Sequence, residues 1–322
     1  MAHQHLILRA LLSGEEVSGE EISRRLGVSR AMVHKEIAAM RAEGLVALAR
    51  PRRGYRLLTL PDRPLPWLVQ AFFPPDAEYP VRFLPEAGST MEEAAAWARE
   101  GAPQGAAVTT DHQLQGRGRR GRSWEDPPGM SLLSSIVLRP RCGPSKAGWL
   151  PLAAAVGACR AVERVCGVRA EIKWPNDLLV GGRKLAGILV ELTLEEQEIR
   201  HAVVGCGINV HQEEFPPELA ARAFSLRQAA GYAGSRAPLL AALIEEIASA
   251  SDQLSDDPPA LRARWVERSC TLGREVLAQT PQGPLEGVAV AVDDLGCLVV
   301  RTRDGAQVAL AAGDVSIRGS VR

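Results

Sequence analysis

Apolar positions recur at helical spacing from the first residues of the chain. Leu6, Ile7, Leu8, Leu11 and Leu12 form the apolar side of a first predicted helix. Ser18 with Glu21 reads as a capping box opening a second helix through Ile22 and Leu26, which Gly27 ends. Ser29 caps a third helix with apolar positions Met32, Val33, Ile37 and Met40, and Gly44 closes it. Short apolar runs at 45–48 and 55–58 predict two strands joined by a basic turn, Ala49-Arg50-Pro51-Arg52-Arg53-Gly54. Helix, glycine turn, helix and basic hairpin are the outline of a winged helix-turn-helix over residues 1–60.

The pattern then breaks at Pro61-Asp62-Arg63-Pro64-Leu65-Pro66, so residues 61–79 are expected to be a linker. From 80 to 272, strand-like runs (106–110, 132–138, 188–192, 202–204) alternate with alanine-rich helical stretches (92–99, 150–165), and a further helix is expected at 238–254. That alternation predicts one mixed α/β domain. Residues 273–322 change character. Runs at 276–279, 285–292, 297–301 and 307–311, separated by glycine turns, predict a small β-barrel or sandwich.

Composition narrows the field. The 322 residues suffice for two or three domains, and 38 basic side chains balance 38 acidic ones. Nucleic-acid affinity must therefore come from a local patch. The N-terminus lacks a basic region followed by a long apolar run, and no apolar stretch approaches the roughly 18 residues of a membrane helix. Six scattered cysteines form no CxxC pair, and no HExxH occurs, so neither a structural metal nor a disulfide framework is expected. Reduced thiols in a cytoplasmic protein, away from membranes, are the expectation.

Candidate chemistry concentrates in four stretches. In Gln115-Gly116-Arg117-Gly118-Arg119-Arg120-Gly121-Arg122-Ser123-Trp124, four arginines are interleaved with three glycines. Glycine lets backbone approach a ligand, and guanidinium forks suit carboxylate and phosphate. The same composition also suits a solvated basic loop or an RGG-like segment on nucleic acid. Lys173-Trp174-Pro175-Asn176-Asp177 and Arg183-Lys184-Leu185-Ala186-Gly187 flank a Gly181-Gly182 turn, which places the two halves on adjacent strands. Their lysines offer point charges, and Asp177 could take a magnesium ion, although a structural hairpin would look alike. Gly205-Cys206-Gly207-Ile208-Asn209 ends an apolar strand, where small residues admit a flat ring and Asn209 suits an adenine edge. Ser89 and Thr90 precede a helix and either cap it or bind a polar ligand.

Taken in this order, GRGRRGRSW, KWPND with RKLAGIL, and GCGIN resemble the biotin protein ligase family over roughly residues 80–320. The leading module resembles the bifunctional members that also act as biotin operon repressors. The resemblance implies an α/β (strictly α+β) catalytic domain with a class II synthetase-like mixed sheet, followed by a small SH3-like β-barrel. It implies ATP and Mg2+ as co-substrate and metal, biotin as substrate, and a biotin carboxyl carrier protein as acceptor. By position, Ser89, Thr90, Gln113, Gly116, Arg117, Lys184 and Gly187 would bind biotin. Arg119, Arg120, Arg122, Trp124, Lys173, Asn176 and Asn209 would bind ATP or the adenylate, and Asp177 the metal. Lys184, Arg119 and Arg117 are the catalytic candidates. Met91 stands where many members carry a polar residue such as Asn, and Ser123 where a basic one is common. A lipoate-type ligase and a sensor without turnover are the rival readings. The arginine-glycine loop and KWPND argue against the first, and the set of cations against the second.

The first sixty residues hold ten basic against six acidic side chains. Arg30, His34 and Lys35, behind the Ser29 cap, stand where base edges would be read, and Arg52 and Arg53 on the hairpin suit phosphates. Operator DNA is thus an expected partner. A homodimer on a palindrome follows from the weakness of a single module, and the resemblance implies that the adenylate promotes it.

Overall fold

The computed structural model describes residues 3–50, 53–124, 127–280, 283–311 and 313–317, without the side chains of Arg120 and Asp314. The chain opens with α1 (Gln4–Leu11), α2 (Gly19–Leu26), α3 (Arg30–Ala42) and the antiparallel hairpin β1 (Val46–Arg50) and β2 (Gly54–Thr59). Ile7, Leu8, Leu11, Ile22, Val33, Ile37 and Met40 meet in a core that closes the three-helix unit. Two expectations change in detail. Leu12 and Met32 stay exposed. The capping box is only half formed: Ser18 Oγ accepts from Glu21 N–H at 3.1 Å, but the Glu21 carboxylate pairs with Arg25 one turn on. Pro51 and Arg52 of the hairpin turn lie outside the described residues.

The expected linker contains a short helix, α4 (Pro66–Gln70), with Trp67, Leu68 and Val69 buried. Arg9 of α1 donates to the carbonyls of Gln70, Ala71 and Phe73, and Trp67 Nε1 donates to Glu43 of the helix-turn-helix. The segment is therefore a packed joint.

A seven-stranded mixed sheet follows, built from β3 (Val81–Ala87), β4 (Ala107–Gln113), β5 (Ser131–Leu138), β6 (Glu171–Lys173), β7 (Asp177–Val180), β8 (Arg183–Glu195) and β9 (Glu198–Asn209). Its order is β3-β4-β5-β9-β8-β7-β6, with β3 and β4 parallel and the other neighbours antiparallel. β5 is buried at every position because both faces are covered. On one face, α5 (Thr90–Arg99) packs Met91, Ala94 and Ala98 against Val108, Val137 and Val203. On the other, Ile136, Val204, Cys206 and Ile208 meet the long apolar helices α6 (Leu150–Cys166) and α9 (Arg236–Asp256). Short helices α7 (Pro217–Ala220) and α8 (Leu226–Ala230) follow β9, and α10 (Pro258–Arg268) follows α9.

The last unit is a five-stranded antiparallel sheet of β10 (Glu275–Thr280), β11 (Gly283–Val292), β12 (Leu298–Arg301), β13 (Gln307–Leu310) and β14 (Asp314–Ile317), in the order β13-β12-β11-β10-β14. It is tied to the central sheet through the turn before β7. Trp174 is 2% exposed, its backbone N–H donates to Thr271 Oγ1, and its indole N–H donates to Gly296 O.

Candidate active site

The α5 face of the sheet carries the site. Near its middle, Gly187 of β8 and Gly207 of β9 sit opposite each other in register. Side chains there would stand up from the sheet; without them a flat ring can lie on it. The ring that does so is the indole of Trp124. A Cβ at Gly207 would fall 2.7 Å from Trp124 Cε2, and one at Gly187 3.1 Å from Cζ3.

The arginine-glycine loop delivers that tryptophan. Gly118 N–H donates to Arg122 O at 2.7 Å and Trp124 N–H to Gly116 O at 3.0 Å, closing the loop on itself. Gly116 is needed there, because a Cβ would lie 2.3 Å from Trp124 O. Arg117 pairs with Glu92 on α5. Arg119 donates to Asn176 Oδ1 at 3.0 Å, and Asn176 Nδ2 in turn donates to Ile188 O at 2.8 Å. The loop is thus bound to the helix on one side and to β8 on the other.

Below the loop is a cavity of about 60 Å³. Its walls include Ser89, Thr90, Gln113, Arg117, Arg119, Trp124, Asn176, Lys184 and Gly187. Nine of the residues predicted from sequence, drawn from five separate stretches, therefore converge on one space. The floor adds Met91, Leu133 and Leu189, which the sequence reading did not assign to ligand contact. Lys184 Nζ lies 2.8 Å from Asp177 Oδ1 and 5.6 Å from the Trp124 ring centroid. Thr90 N–H and Oγ1 both reach Gln113 Oε1, at 2.9 and 3.0 Å. Ser89 Oγ and Trp124 Nε1 are buried without a hydrogen-bond partner among the described residues. Orphan polar groups lining a cavity with three cationic side chains mark a place for a polar, anionic ligand.

Other expectations fall elsewhere. Asn209 is buried, and its amide N–H groups go to Phe224 O at 3.1 Å and Lys184 O at 3.4 Å. It braces the start of β8 and does not line the cavity. Lys173 faces Asp177 across the β6–β7 pair, at the rim of the sheet. Arg122 lines an outer groove of the loop with Leu189 and Glu191. The Arg120 side chain lies outside the described residues. Cys206 Sγ is directed to the helix side of the sheet, where burial pushes the thiol up to about 12, so it offers no nucleophile.

Ser29 in the N-terminal unit accepts from Met32 N–H at 3.1 Å as the cap of α3. Arg30, His34 and Lys35 are exposed on that helix; His34 and Lys35 lie off the stripe of the buried Val33, Ile37 and Met40, and Arg30 continues that stripe at the exposed first turn. Arg53 is exposed and 3.9 Å from Glu16, which also pairs with Arg50; Arg52 lies outside the described residues.

A mixed sheet with a cationic loop over a glycine-floored cavity, flanked by a helix-turn-helix and a small β domain, defines a biotin/lipoate-type protein ligase fused to a DNA-binding module. Residues 88–209 match the Biotin/lipoate A/B protein ligase family, 3–56 an HTH domain and 271–318 the Biotin protein ligase C terminal domain. The chain is 35% identical over 297 residues to the Bifunctional ligase/repressor BirA of Bacillus subtilis (strain 168), covering 90% of this chain and 91% of that protein. It is 31% identical over 317 residues to the protein of the same name from Escherichia coli (strain K12), covering 98% and 97%. The structure of biotin protein ligase from Aquifex aeolicus in complex with biotin and ATP superposes with a TM-score of 0.63 at 27% identity, covering 74% of this chain and 98% of that one. The chain belongs to the biotin protein ligase family.

Proposed function

We propose that this protein activates biotin with ATP and transfers it to a lysine of a carrier protein. In the first step a biotin carboxylate oxygen attacks the α-phosphorus of ATP, giving biotinyl-5′-AMP and pyrophosphate. In the second, the ε-amine of the carrier lysine attacks the acyl carbon, and AMP leaves with the electron pair of the broken C–O bond. The observation that carries this reading is the convergence of Lys184, Arg117 and Arg119 on a cavity that also holds the Ser89, Thr90 and Gln113 polar groups.

Each residue has a physical task. Lys184 bridges carboxylate and α-phosphate, two anions that repel until a cation stands between them. Arg119 and Arg117 stabilise charge growing on the phosphate oxygens, and Arg120 and Arg122 retain the nucleotide. Ser89, Thr90, Gln113 and the Gly116 backbone hold the polar head of biotin, with its rings over Gly187. Trp124 covers the acyl adenylate and keeps water from the anhydride. Lys173, Asn176 and Asn209 shape the nucleotide side. Asp177, a partly exposed carboxylate beside Lys184, fits a magnesium ion that takes one protein carboxylate and otherwise phosphates and water. That ion would neutralise phosphate charge.

The exposed Arg30, His34 and Lys35, with Arg52 and Arg53, support operator binding by the N-terminal unit. A homodimer promoted by the adenylate would join the two activities. No helix of the described residues is long and apolar enough to cross a membrane, and ATP, carrier and operator are met together in the cytoplasm.

The test is pyrophosphate release from magnesium-ATP with biotin, with lipoate and with neither. Release with biotin alone is expected. Release with lipoate would move the chain to lipoyl transfer, and biotin binding without release would make it a sensor.

A further inference from the structure

Behind Thr90, away from the cavity, lies a residue to which neither the motifs nor the proposed reaction assigns a role. Ser135 is in the middle of β5, fully buried, and alternates with Val137 on the α5 face. Its hydroxyl oxygen is 2.8 Å from Thr90 Oγ1. Resting on the reading of the cavity as a biotin site, we propose that Ser135 is a positioning residue that acts through Thr90 to set which polar groups face the biotin head.

The argument follows the protons. Thr90 N–H is a backbone group and only donates, so the Gln113 atom 2.9 Å away must be the amide oxygen. That fixes the amide, and Gln113 Nε2 turns the other way, toward Gly116 of the loop, 3.2 Å from where a Cβ there would stand, with Gln113 among the cavity's walls. The same oxygen, which only accepts, is 3.0 Å from Thr90 Oγ1, so the Thr90 hydroxyl proton lies on that contact. With that proton used, Ser135 must be the donor in its contact with Thr90. The chain runs one way, from Ser135 to Thr90 to Gln113.

The consequence appears at the cavity surface. Thr90 presents a lone pair and no proton, while Gln113 presents N–H groups and no acceptor. An acceptor beside a donor matches a ligand that carries N–H next to C=O, as the cyclic urea of biotin does. The dithiolane ring of lipoate has neither group. Without Ser135 the Thr90 oxygen loses a donor; since donors in series polarise one another, Thr90 then donates less strongly to Gln113 Oε1 and holds the Gln113 amide less firmly.

Initial rates of pyrophosphate release test this, with biotin and ATP varied separately for wild type, Ser135→Ala, Thr90→Val and the double variant. Ser135→Ala is expected to raise the biotin KM roughly five- to tenfold, the worth of one buried hydrogen bond, with kcat and the ATP KM within twofold. In the Thr90→Val background the same change should do nothing further, since its target is gone. An unchanged biotin KM overturns the proposal. So does a rise in both KM values together, or an effect that adds fully to Thr90→Val, since these indicate general loosening of β5. Melting curves accompany the kinetics, and if the alanine variant melts early, Ser135→Cys carries the comparison with similar volume and a weaker donor. Absence of biotin-dependent release by the wild type would instead refute the biotin reading, and Ser135's role with it.

Discussion

Lys184 Nζ and Asp177 Oδ1 are 2.8 Å apart across the β7–β8 hairpin. The Gly181-Gly182 turn, with φ of +57° and +75°, creates this proximity. The pair is 38% and 25% exposed, so it is screened and contributes little to stability. Its value is placement: the lysine is held at the cavity, 5.6 Å from the centroid of the ring that closes it. Lys184→Ala should therefore slow biotin-dependent pyrophosphate release by roughly 10²–10³, the cost of removing one preorganised charge stabiliser. The melting temperature should barely move. Near-wild-type release would remove Lys184 from the chemistry.

Asp177→Asn separates the two duties of the carboxylate. If Asp177 takes the magnesium ion, the magnesium concentration for half-maximal rate should rise about tenfold while saturating magnesium restores most of the rate. If it only steadies Lys184, the magnesium curve keeps its midpoint and kcat alone falls. A titration of initial rate against magnesium at fixed ATP distinguishes these outcomes.

Gly207→Ala tests the floor. The new methyl would sit 2.7–3.0 Å from three indole carbons of Trp124, so the ring must lift. The variant should bind biotin at least tenfold more weakly by titration calorimetry and show altered tryptophan fluorescence before ligand is added. Wild-type affinity would mean that the indole does not share the ligand's surface.

What could be read from the sequence follows a physical division. The loop, the lysine-bearing hairpin and the glycine strand end are local signals, since glycine spacing and charge density imply backbone and electrostatic behaviour by themselves. Lys184 and the loop arginines were legible for that reason, whereas Gln113 and the biotin role of Thr90 came only from position in the family resemblance. Groups that act through distant partners were not. Asn209 is an ordinary polar residue until folding brings Lys184 O and Phe224 O to its amide. Trp174 reads as part of a catalytic motif, yet its indole secures the C-terminal unit through Gly296. The proline-rich segment reads as a spacer because the partner of the Trp67 indole, Glu43, caps the end of α3, 24 residues earlier. Ser135 had a weak signal, a hydroxyl within an apolar strand, but no indication of what it meets.

Arg236 supplies a stability prediction. It is 1% exposed and donates to Asp62 on the joint, Asp111 on β4 and Ser131 O on β5. Arg236→Met leaves Asp111 with Arg63 and strips Asp62 of its main partner, and should destabilise the fold by about 3 kcal/mol. Burial alone would raise the Asp62 carboxyl, but hydrogen bonds from His211 and Arg236 outweigh it and hold it below the usual range. A depressed carboxylate contributes stability that is present above its unfolded value, roughly pH 4, and lost as pH falls through the folded one. The wild type should thus lose part of its stability in acid below about pH 4, and Asp62→Asn should flatten that part of the profile. Identical acid profiles in urea titrations would remove Asp62 from the clamp.

Operator binding can be tested through salt. Arg30, His34 and Lys35 are exposed on α3, Arg30 at its first turn and the other two off the stripe of Val33, Ile37 and Met40, and Arg53 is exposed on the hairpin. A residue on a phosphate and one on a base edge fail differently. Loss of a phosphate contact weakens specific and nonspecific DNA alike and lowers the slope of log K against log salt by about one. Loss of a base contact relaxes discrimination and costs about 1–3 kcal/mol on the cognate site only. Arg53→Ala should behave in the first way and Arg30→Ala in the second, in gel-shift titrations with the biotin-gene operator and a scrambled duplex at several salt concentrations. Each titration is run with and without biotinyl-5′-AMP, which should tighten operator binding if it joins two chains on a palindrome. Equal affinity for both duplexes under all conditions would leave the helix-turn-helix with a role in folding or catalysis and no role in reading DNA.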